Sequence, residues 1–392
     1  MKGSKIYKIN HISVNETKSQ FCLSHNNGIK LFDTRGFVEI YSIDNLENIS
    51  LCILIRELKM AVFVGSKENE KYSNKTVVIY DLISNKEVFT TSFLEEIKDI
   101  KIINTFIILK FQLGIKIFLL ENSNNLKAIK DISLENGVYE VWENSLLDES
   151  QIKTISLIYY QGEEIIITDY KGKDWQEVKK QKIPNKYKKI QGFFYIRELD
   201  WVFVVDEVAK YIYGLNPKDG KEQICLYRGS NPGIITSMSL LNKKYLLFNN
   251  INRTIYIIDL KPSGTSLSSL IGKIYSIEGS TFMTIKYNEL MGENEERFFE
   301  KDFAQRGSIL WGDSEGNQFN LISYNGFAYK IRINFLKAKM GIEEKIQIAK
   351  YNINFDEKQD KEENKDNSQE TKYKSIFDTK QKTIDDEKFI NL

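Results

Sequence analysis

The chain has 392 residues, of which 42% are hydrophobic and 12% aromatic, and its formal charge at neutral pH is +1. This length permits one large domain or two ordinary ones, and the near-zero net charge excludes a general electrostatic attraction to nucleic acid or to an anionic membrane. Any polyanion must therefore be held by a local site.

The N-terminal residues 1–16 are polar and lack the apolar core of a signal peptide, and no segment is apolar for long enough to span a bilayer. Cys22, Cys52 and Cys225 are scattered and show no CxxC spacing. We therefore expect reduced, half-buried thiols rather than a disulfide framework or a metal site. Together these features predict a soluble cytoplasmic protein without a cofactor.

Short apolar runs rich in Val, Ile, Tyr and Phe recur along the chain, many of them opened by Gly or Thr. Each of them is preceded by a second strand-like run, so two adjacent strands per unit are visible. Such composition favours β-strands, and a period of about 40 to 45 residues is typical of WD-type propeller blades. The runs begin at Gly28, Thr76, Gly114, Glu164, Lys210, Thr254 and Gly326.

The sequence therefore predicts an all-β fold, a seven-bladed β-propeller with four strands in each blade. The propeller is expected to occupy residues 1–335. One interval is too long for a single blade, and its surplus predicts a loop insertion at 268–302. Residues 336–392 are dominated by Lys, Glu, Asp, Asn and Gln, which predicts a disordered C-terminal tail.

The segment Leu226-Tyr227-Arg228-Gly229 is followed by Ser230 and then by two strand-like runs, the second of which begins at Thr254. In order and spacing this stretch resembles the PROPPIN family, whose hallmark is a Phe-Arg-Arg-Gly motif between the fifth and sixth blades. Three further stretches, which resemble the family's first, second and seventh blades, extend the resemblance over about residues 7–335. These are Phe21–Phe32, Val64–Asp81, and Asp302–Ala304 with Gly326–Tyr329.

The resemblance implies a phosphoinositide-binding scaffold of autophagy that has no catalytic function. In the family, each Arg of the motif serves one of two phosphoinositide pockets on the rim, because a guanidinium matches phosphate oxygens bidentately. Here Tyr227 replaces the first Arg and Asp206 stands near the same pocket, so we expect that pocket to be weak or dead. The second pocket is implied to use Arg228, Gly229, Ser230 and Thr254, with Tyr256, Asn249 and Asn250 replacing the family's His and two Ser.

The insertion takes the position of the family's membrane-anchoring loop. Its apolar residues suit a headgroup layer, whereas its glutamates oppose an anionic surface, so a membrane anchor and a plain surface loop both remain open. The apolar residues are Leu270, Ile271, Ile274, Tyr275, Ile277, Phe282 and Met283, and the acidic ones are Glu289, Glu293, Glu295, Glu296 and Glu300.

The partners implied are a membrane that contains phosphatidylinositol 3-phosphate or 3,5-bisphosphate and an autophagy lipid-transfer or other adaptor protein, met by residues 67–75. The resemblance places a monomer in the cytoplasm and peripherally on preautophagosomal, endosomal or vacuolar membranes. The alternative is a propeller that has lost lipid binding and acts as a protein-protein interaction scaffold. The sequence leaves both open, since Arg228 is present while its counterpart is not.

An enzyme is the competing class, because Gly312–Gly316 fits the G-x-S-x-G pattern. A nucleophile elbow needs a strand-to-helix turn and a later His, yet Ser314 stands between two strand-like runs and the only histidines are His11 and His25. We expect a hairpin turn there. The short basic patch Lys186–Lys189 is expected to be a solvated loop and not a nucleic-acid site.

Overall fold

The protein is a seven-bladed β-propeller in the computed structural model, as the repeat predicts. Each blade is an antiparallel sheet whose strands follow one another in chain order, with four strands in blades 1 to 6 and five in blade 7. The structure describes residues 8–348 and 389–390, apart from residues 16, 56–58, 123–124, 136, 145–153, 173–174, 188, 252–253, 261–279, 291–307, 314 and 325.

The strands of blades 1 to 4 are β1 (Ile9–Val14), β2 (Gln20–His25), β3 (Gly28–Asp33) and β4 (Glu39–Asp44); β5 (Leu51–Ile55), β6 (Met60–Val64), β7 (Thr76–Asp81) and β8 (Lys86–Ser92); β9 (Asp99–Ile103), β10 (Phe106–Lys110), β11 (Gly114–Asn122) and β12 (Asn125–Ser133); β13 (Tyr139–Asn144), β14 (Thr154–Gln161), β15 (Glu164–Lys171) and β16 (Gln176–Pro184).

The strands of blades 5 to 7 are β17 (Ile190–Ile196), β18 (Trp201–Asp206), β19 (Tyr211–Leu215) and β20 (Glu222–Tyr227); β21 (Ile235–Leu241), β22 (Tyr245–Asn250), β23 (Thr254–Asp259) and β24 (Ser280–Lys286); β25 (Ser308–Gly312), β26 (Gln318–Ser323), β27 (Phe327–Asn334) and β28 (Lys339–Gln347). A short helix, α1 (Tyr287–Leu290), follows β24, and β29 (Phe389–Ile390) pairs with β28.

The recurring apolar runs are the third strands of the blades. Neighbouring blades pack face to face, so the second and third strands are buried on both faces and read as continuous apolar segments. The fourth strands lie at the outer edge and are largely exposed, as in β8 and β16. This difference explains why only two strands per unit are visible in the sequence.

The ring is built from seven apolar clusters, most of them lying between successive blades. The first strands contact one another in order around the centre, from β1 through β5 and onward to β25. The seam between blades 7 and 1 is closed by side chains, with the rings of Phe21 and Trp311 6.3 Å apart. At the same seam the Lys330 ammonium donates to the carbonyl of Arg35 at 2.7 Å.

Two boundaries predicted from the sequence are wrong. Strand β24 and helix α1 lie inside the predicted insertion, and Met283 is buried against blade 7, where it cannot enter a membrane. Strand β28 completes blade 7, so the propeller continues to Ile348 and does not end at residue 335. Leu270, Ile271, Ile274, Tyr275 and Ile277, the glutamates from Glu293 to Glu300, and residues 349–388 lie outside the described residues.

The Gly312–Gly316 segment connects β25 and β26, which pair antiparallel. The amide of Glu315 donates to the carboxylate of Asp313 at 3.0 Å, and the amide of Asp313 donates to the carbonyl of Gln318 at 2.9 Å. The predicted hairpin turn is therefore confirmed, although Ser314 itself is not described. A strand-to-helix nucleophile elbow is absent at this connection.

Acid is expected to destabilise the propeller through His25. This side chain ends β2, is 2% exposed, and burial lowers its pKa from 6.5 to about 4. Because the folded-state pKa lies below the unfolded value, the unfolded chain binds the proton first, and stability is lost as the pH falls from 6.5 toward 4. Between about pH 7 and pH 5 we expect the free energy of unfolding to fall by roughly 2 kcal/mol.

Urea unfolding of the wild type and of His25→Gln at the two pH values tests this expectation. The glutamine retains an acceptor for the amide of Asn27, which donates to Nδ1 of His25 at 3.1 Å. The variant should lose clearly less stability than the wild type on acidification. An equal loss in both proteins would show that His25 is not responsible.

Candidate anion-binding site between blades 5 and 6

The segment that joins β20 to β21 is fixed by side chains from both blades. Gln191 of blade 5 accepts from the amide of Ile235 and donates to the carbonyl of Gly233, both at 2.8 Å. Asn250 of blade 6 accepts from the amide of Ile234 at 3.1 Å. Gly229 has φ of 145°, a conformation open to glycine and rarely to other residues, and it lets the chain turn back over the end of β20.

Arg228 lies at the start of this segment and is 7% exposed. Its Nε donates to the carbonyl of Ala209 at 2.5 Å, one terminal nitrogen donates to the hydroxyl of Tyr256 at 3.2 Å, and the other donates to the carbonyl of Asn231. The guanidinium also lies 5.5 Å from the centre of the Tyr256 ring.

The three hydrogen bonds of the Arg228 guanidinium go to neutral oxygen atoms, two carbonyls and one hydroxyl. Within the described part of the chain, no carboxylate forms an ion pair with Arg228. A guanidinium has five N–H donors, so three hydrogen bonds leave two donors unused. A poorly hydrated, uncompensated cation with spare donors is suited to a bidentate anion such as a phosphate.

The sheet of blade 6 places further polar groups beside Arg228. Thr254 and Tyr256 lie on one face of β23, and their cross-strand partners on β24 are Lys286 and Thr284. Because side chains alternate between faces, all four residues share the face turned toward Arg228. Lys286 is exposed and forms no ion pair with any described residue.

Lys286 was missed by the sequence reasoning. Its position beside Thr254 depends on the register of β24, and residues 268–302 read as a loop in the sequence. Opposed residues of antiparallel strands have Cβ atoms about 5 Å apart, so a lysine at this position adds a second cation to the face that carries Thr254.

Asn249 and Asn250, the two asparagines expected in the pocket, form structural hydrogen bonds. Asn249 is fully buried, donates to the carbonyl of Ser308 and to the hydroxyl of Thr236, both at 2.9 Å, and accepts from the hydroxyl of Tyr287 at 2.6 Å. Asn250 is also buried, and its carbonyl oxygen binds the amide of Ile234. The side chain of Asn249 is therefore committed to the junction of blades 6 and 7.

Tyr227 is separated from Arg228, because it lies on the face of blade 5 that is turned toward blade 4. Its ring is 38% exposed and lies 5.5 Å from the ring of Tyr211, with the Lys210 ammonium 5.9 Å from its centre. Asp206 accepts from the amides of Lys210 and Tyr211 at 2.6 and 3.2 Å. The residues expected at the first pocket are thus engaged in ring contacts and in a turn.

Apolar side chains are exposed next to the candidate site. Val208 is 40% and Ile234 is 48% exposed, and the amide of Gly233 donates to the carbonyl of Val208 at 3.0 Å. Ser230 is also exposed. The rim therefore combines the cations Arg228 and Lys286 with exposed apolar residues beside them.

No family model and no curated protein matches the sequence. Among solved structures, Hsv2 of Kluyveromyces lactis superposes with a TM-score of 0.65 at 15% identity, over 87% of this chain and 99% of Hsv2. A second structure of that protein, with a complete loop 6CD, gives 0.66 at 14% over the same shares. KlAtg21, in complex with the coiled-coil of AgAtg16, gives 0.61 at 12% identity over 87% and 99%.

At these identities the structural likeness establishes the seven-bladed fold of the chain. Within the described residues, no helix has the length and apolar character needed to cross a membrane.

Proposed function

We propose that this chain is a propeller of the PROPPIN type that recognises a phosphoinositide headgroup and is recruited to membranes in autophagy or endolysosomal traffic. The observation that carries the proposal is the environment of Arg228, a nearly buried guanidinium that has neutral partners and two spare donors among the described residues. The order of motifs along residues 7–335 and the fold shared with Hsv2 and Atg21 support it.

The site recognises the phosphate by charge and by hydrogen bonds. Arg228 supplies the buried charge, Lys286 supplies an exposed one, and Thr254 and Ser230 contribute hydroxyl groups. Gly229 permits the turn that brings the carbonyl of Asn231 onto the guanidinium. Val208 and Ile234 are exposed beside the site. They favour a lipid headgroup at a bilayer over a free inositol phosphate, because the transfer of apolar side chains out of water is favourable.

Residues 260–279 join the third and fourth strands of blade 6, the position that the name loop 6CD describes. We assign this segment the role of a membrane contact, because it contains Leu270, Ile271, Ile274, Tyr275 and Ile277. A headgroup site and an apolar segment that both engage a bilayer bind it more tightly together than either does alone.

Sedimentation with liposomes tests the proposal. The full chain, Arg228→Ala and a variant with residues 261–279 replaced by a Gly-Ser linker are mixed with phosphatidylcholine liposomes that contain phosphatidylinositol 3-phosphate, the 3,5-bisphosphate or no phosphoinositide. We expect pelleting only with a phosphoinositide, and its loss in both variants. No pelleting above the phosphoinositide-free control would overturn the lipid function.

The second candidate function is a scaffold that binds proteins only. It is favoured by Tyr227, which offers no charge at the first pocket, and by an ordered loop on blade 2 that carries exposed lysines. In that loop Tyr72 is buried and its hydroxyl donates to Glu87 at 2.6 Å, while the side chains of Lys67 and Lys71 are 75% and 70% exposed. An acidic surface of an adaptor or lipid-transfer protein would compete for these lysines with Glu96 and Glu87, which lie 3.7 and 3.3 Å from the ammonium groups of Lys67 and Lys71. Absence of lipid-dependent pelleting would leave this function standing.

A further inference from the structure

Two of the three cysteines meet at the junction of blades 1 and 2. Cys22 lies on β2 and Cys52 on β5, the innermost strand of the next blade, and their sulfur atoms are 3.2 Å apart. Both thiols are free. The sequence, in which the two residues are 30 positions apart, gives no indication of this contact.

The contact is part of a packed core. Cys22 and Cys52 are 4% and 0% exposed and lie in one apolar cluster with residues of both blades, among them Leu31 and Phe63. The Ser13 hydroxyl lies 2.9 Å from the sulfur of Cys22. Close packing on all sides keeps the two sulfur atoms next to each other.

A disulfide has an S–S distance of about 2.0 Å, so the two sulfur atoms need to approach by roughly 1 Å. Rotation about the two Cα–Cβ bonds provides movement on this scale without a change of register in either strand. We propose that Cys22 and Cys52 form an oxidant-sensitive modification site, at which a peroxide converts the two thiols into a disulfide that joins blades 1 and 2.

The chemistry needs hydrogen peroxide as the oxidant and no other reactant. The thiolate of Cys22, the less completely buried sulfur, attacks one oxygen of the peroxide; an S–O bond forms, the O–O bond breaks, and hydroxide leaves to give a sulfenic acid. Cys52 then loses its proton and attacks the Cys22 sulfur, so that the S–S bond forms, the S–O bond breaks, and hydroxide leaves. Two thiols and one peroxide give one disulfide and two waters.

Because both thiols are buried, we expect their oxidation to be slow and limited to small oxidants. Burial raises the pKa of Cys52 well above its usual value, so Cys52 remains a thiol until a neighbouring sulfur has been oxidised. A peroxide is small enough to enter through local opening of the blades, whereas a bulky disulfide reagent is excluded. Once formed, the cross-link restricts the unfolded chain and therefore stabilises the fold.

The test uses the full chain with and without hydrogen peroxide. Remaining thiols are alkylated under denaturing conditions, and tryptic peptides are measured by mass spectrometry. Cys22, Cys52 and Cys225 lie in separate tryptic peptides, covering residues 19–30, 36–56 and 222–228. We expect the first two peptides to appear as one cross-linked species that is lost on reduction, while the Cys225 peptide is not cross-linked.

Two variants provide the controls. Cys225→Ala should form the cross-link as the wild type does, whereas Cys22→Ala should not. Peroxide should raise the melting temperature of the wild type by about 5 °C and leave that of Cys22→Ala unchanged. If the wild type shows separate sulfinic acids at Cys22 and Cys52, or two fully alkylated thiols, the proposal is wrong.

Discussion

Lys286→Glu is expected to reduce lipid-dependent pelleting at least about tenfold while leaving the melting temperature unchanged. Lys286 lies opposite Thr254 on the sheet face that is turned toward Arg228, and a glutamate there would repel a bound phosphate. Its side chain is exposed and forms no ion pair with the described residues, so the fold does not depend on it. The measurement is co-sedimentation with phosphoinositide liposomes, accompanied by a thermal melt.

The matched control is Lys86→Glu, which makes the same charge change at an exposed position of β8, on a distant blade. It should pellet as the wild type does. If both variants lose binding equally, the attraction is general and the site between blades 5 and 6 is not responsible. If neither loses binding, Lys286 is not part of the site.

Arg228→Ala alone does not separate recognition from folding. Its guanidinium holds the carbonyls of Ala209 and Asn231, and alanine would leave both without these donors. An unsatisfied buried polar group costs about 1–3 kcal/mol, so the variant is expected to melt earlier as well as to lose binding. Loss of pelleting in Lys286→Glu at an unchanged melting temperature resolves this ambiguity.

The fold was predictable because the buried third strands repeat. What the sequence concealed were the outer fourth strands, whose exposed faces carry polar residues. Strand β28 contains Glu343, Glu344 and Lys345, and this composition resembles that of the tail that follows it. Strand β24 lies in the interval that is too long for a single blade, and the sequence of that interval reads as a loop insertion. Nevertheless, Met283 and Ile285 of this strand are buried against blade 7.

The candidate site was predictable only in part, because a motif identifies residues but not their contacts. Arg228 and Thr254 follow from the resemblance, and both lie at the junction of blades 5 and 6. The burial of Asn249 against Ser308 depends on a strand that is 59 residues further along the chain. Likewise, Asp206 reads as a charge that repels phosphate, although its carboxylate binds two amides of its own turn.

The seam between blades 7 and 1 is expected to be the most sensitive junction of the ring. In the described residues, each blade consists of consecutive strands, and no strand from one end of the chain enters the sheet at the other end. The seam is therefore held by packing around Trp311 and Phe21 and by the bond from Lys330 to the carbonyl of Arg35. Elsewhere the polypeptide itself links neighbouring blades.

Trp311→Ala is expected to lower the free energy of unfolding by about 3–5 kcal/mol, as is usual for a buried aromatic side chain. Trp142→Ala is the matched comparison, since Trp142 is buried at the junction of blades 4 and 5 and stacks on Tyr195 at 4.6 Å. Both variants should lose similar stability, but only Trp311→Ala should speed amide hydrogen exchange selectively in blades 1 and 7. If hydrogen exchange responds in the same way in both variants, the seam opens no more readily than a junction between two blades that are consecutive in the chain.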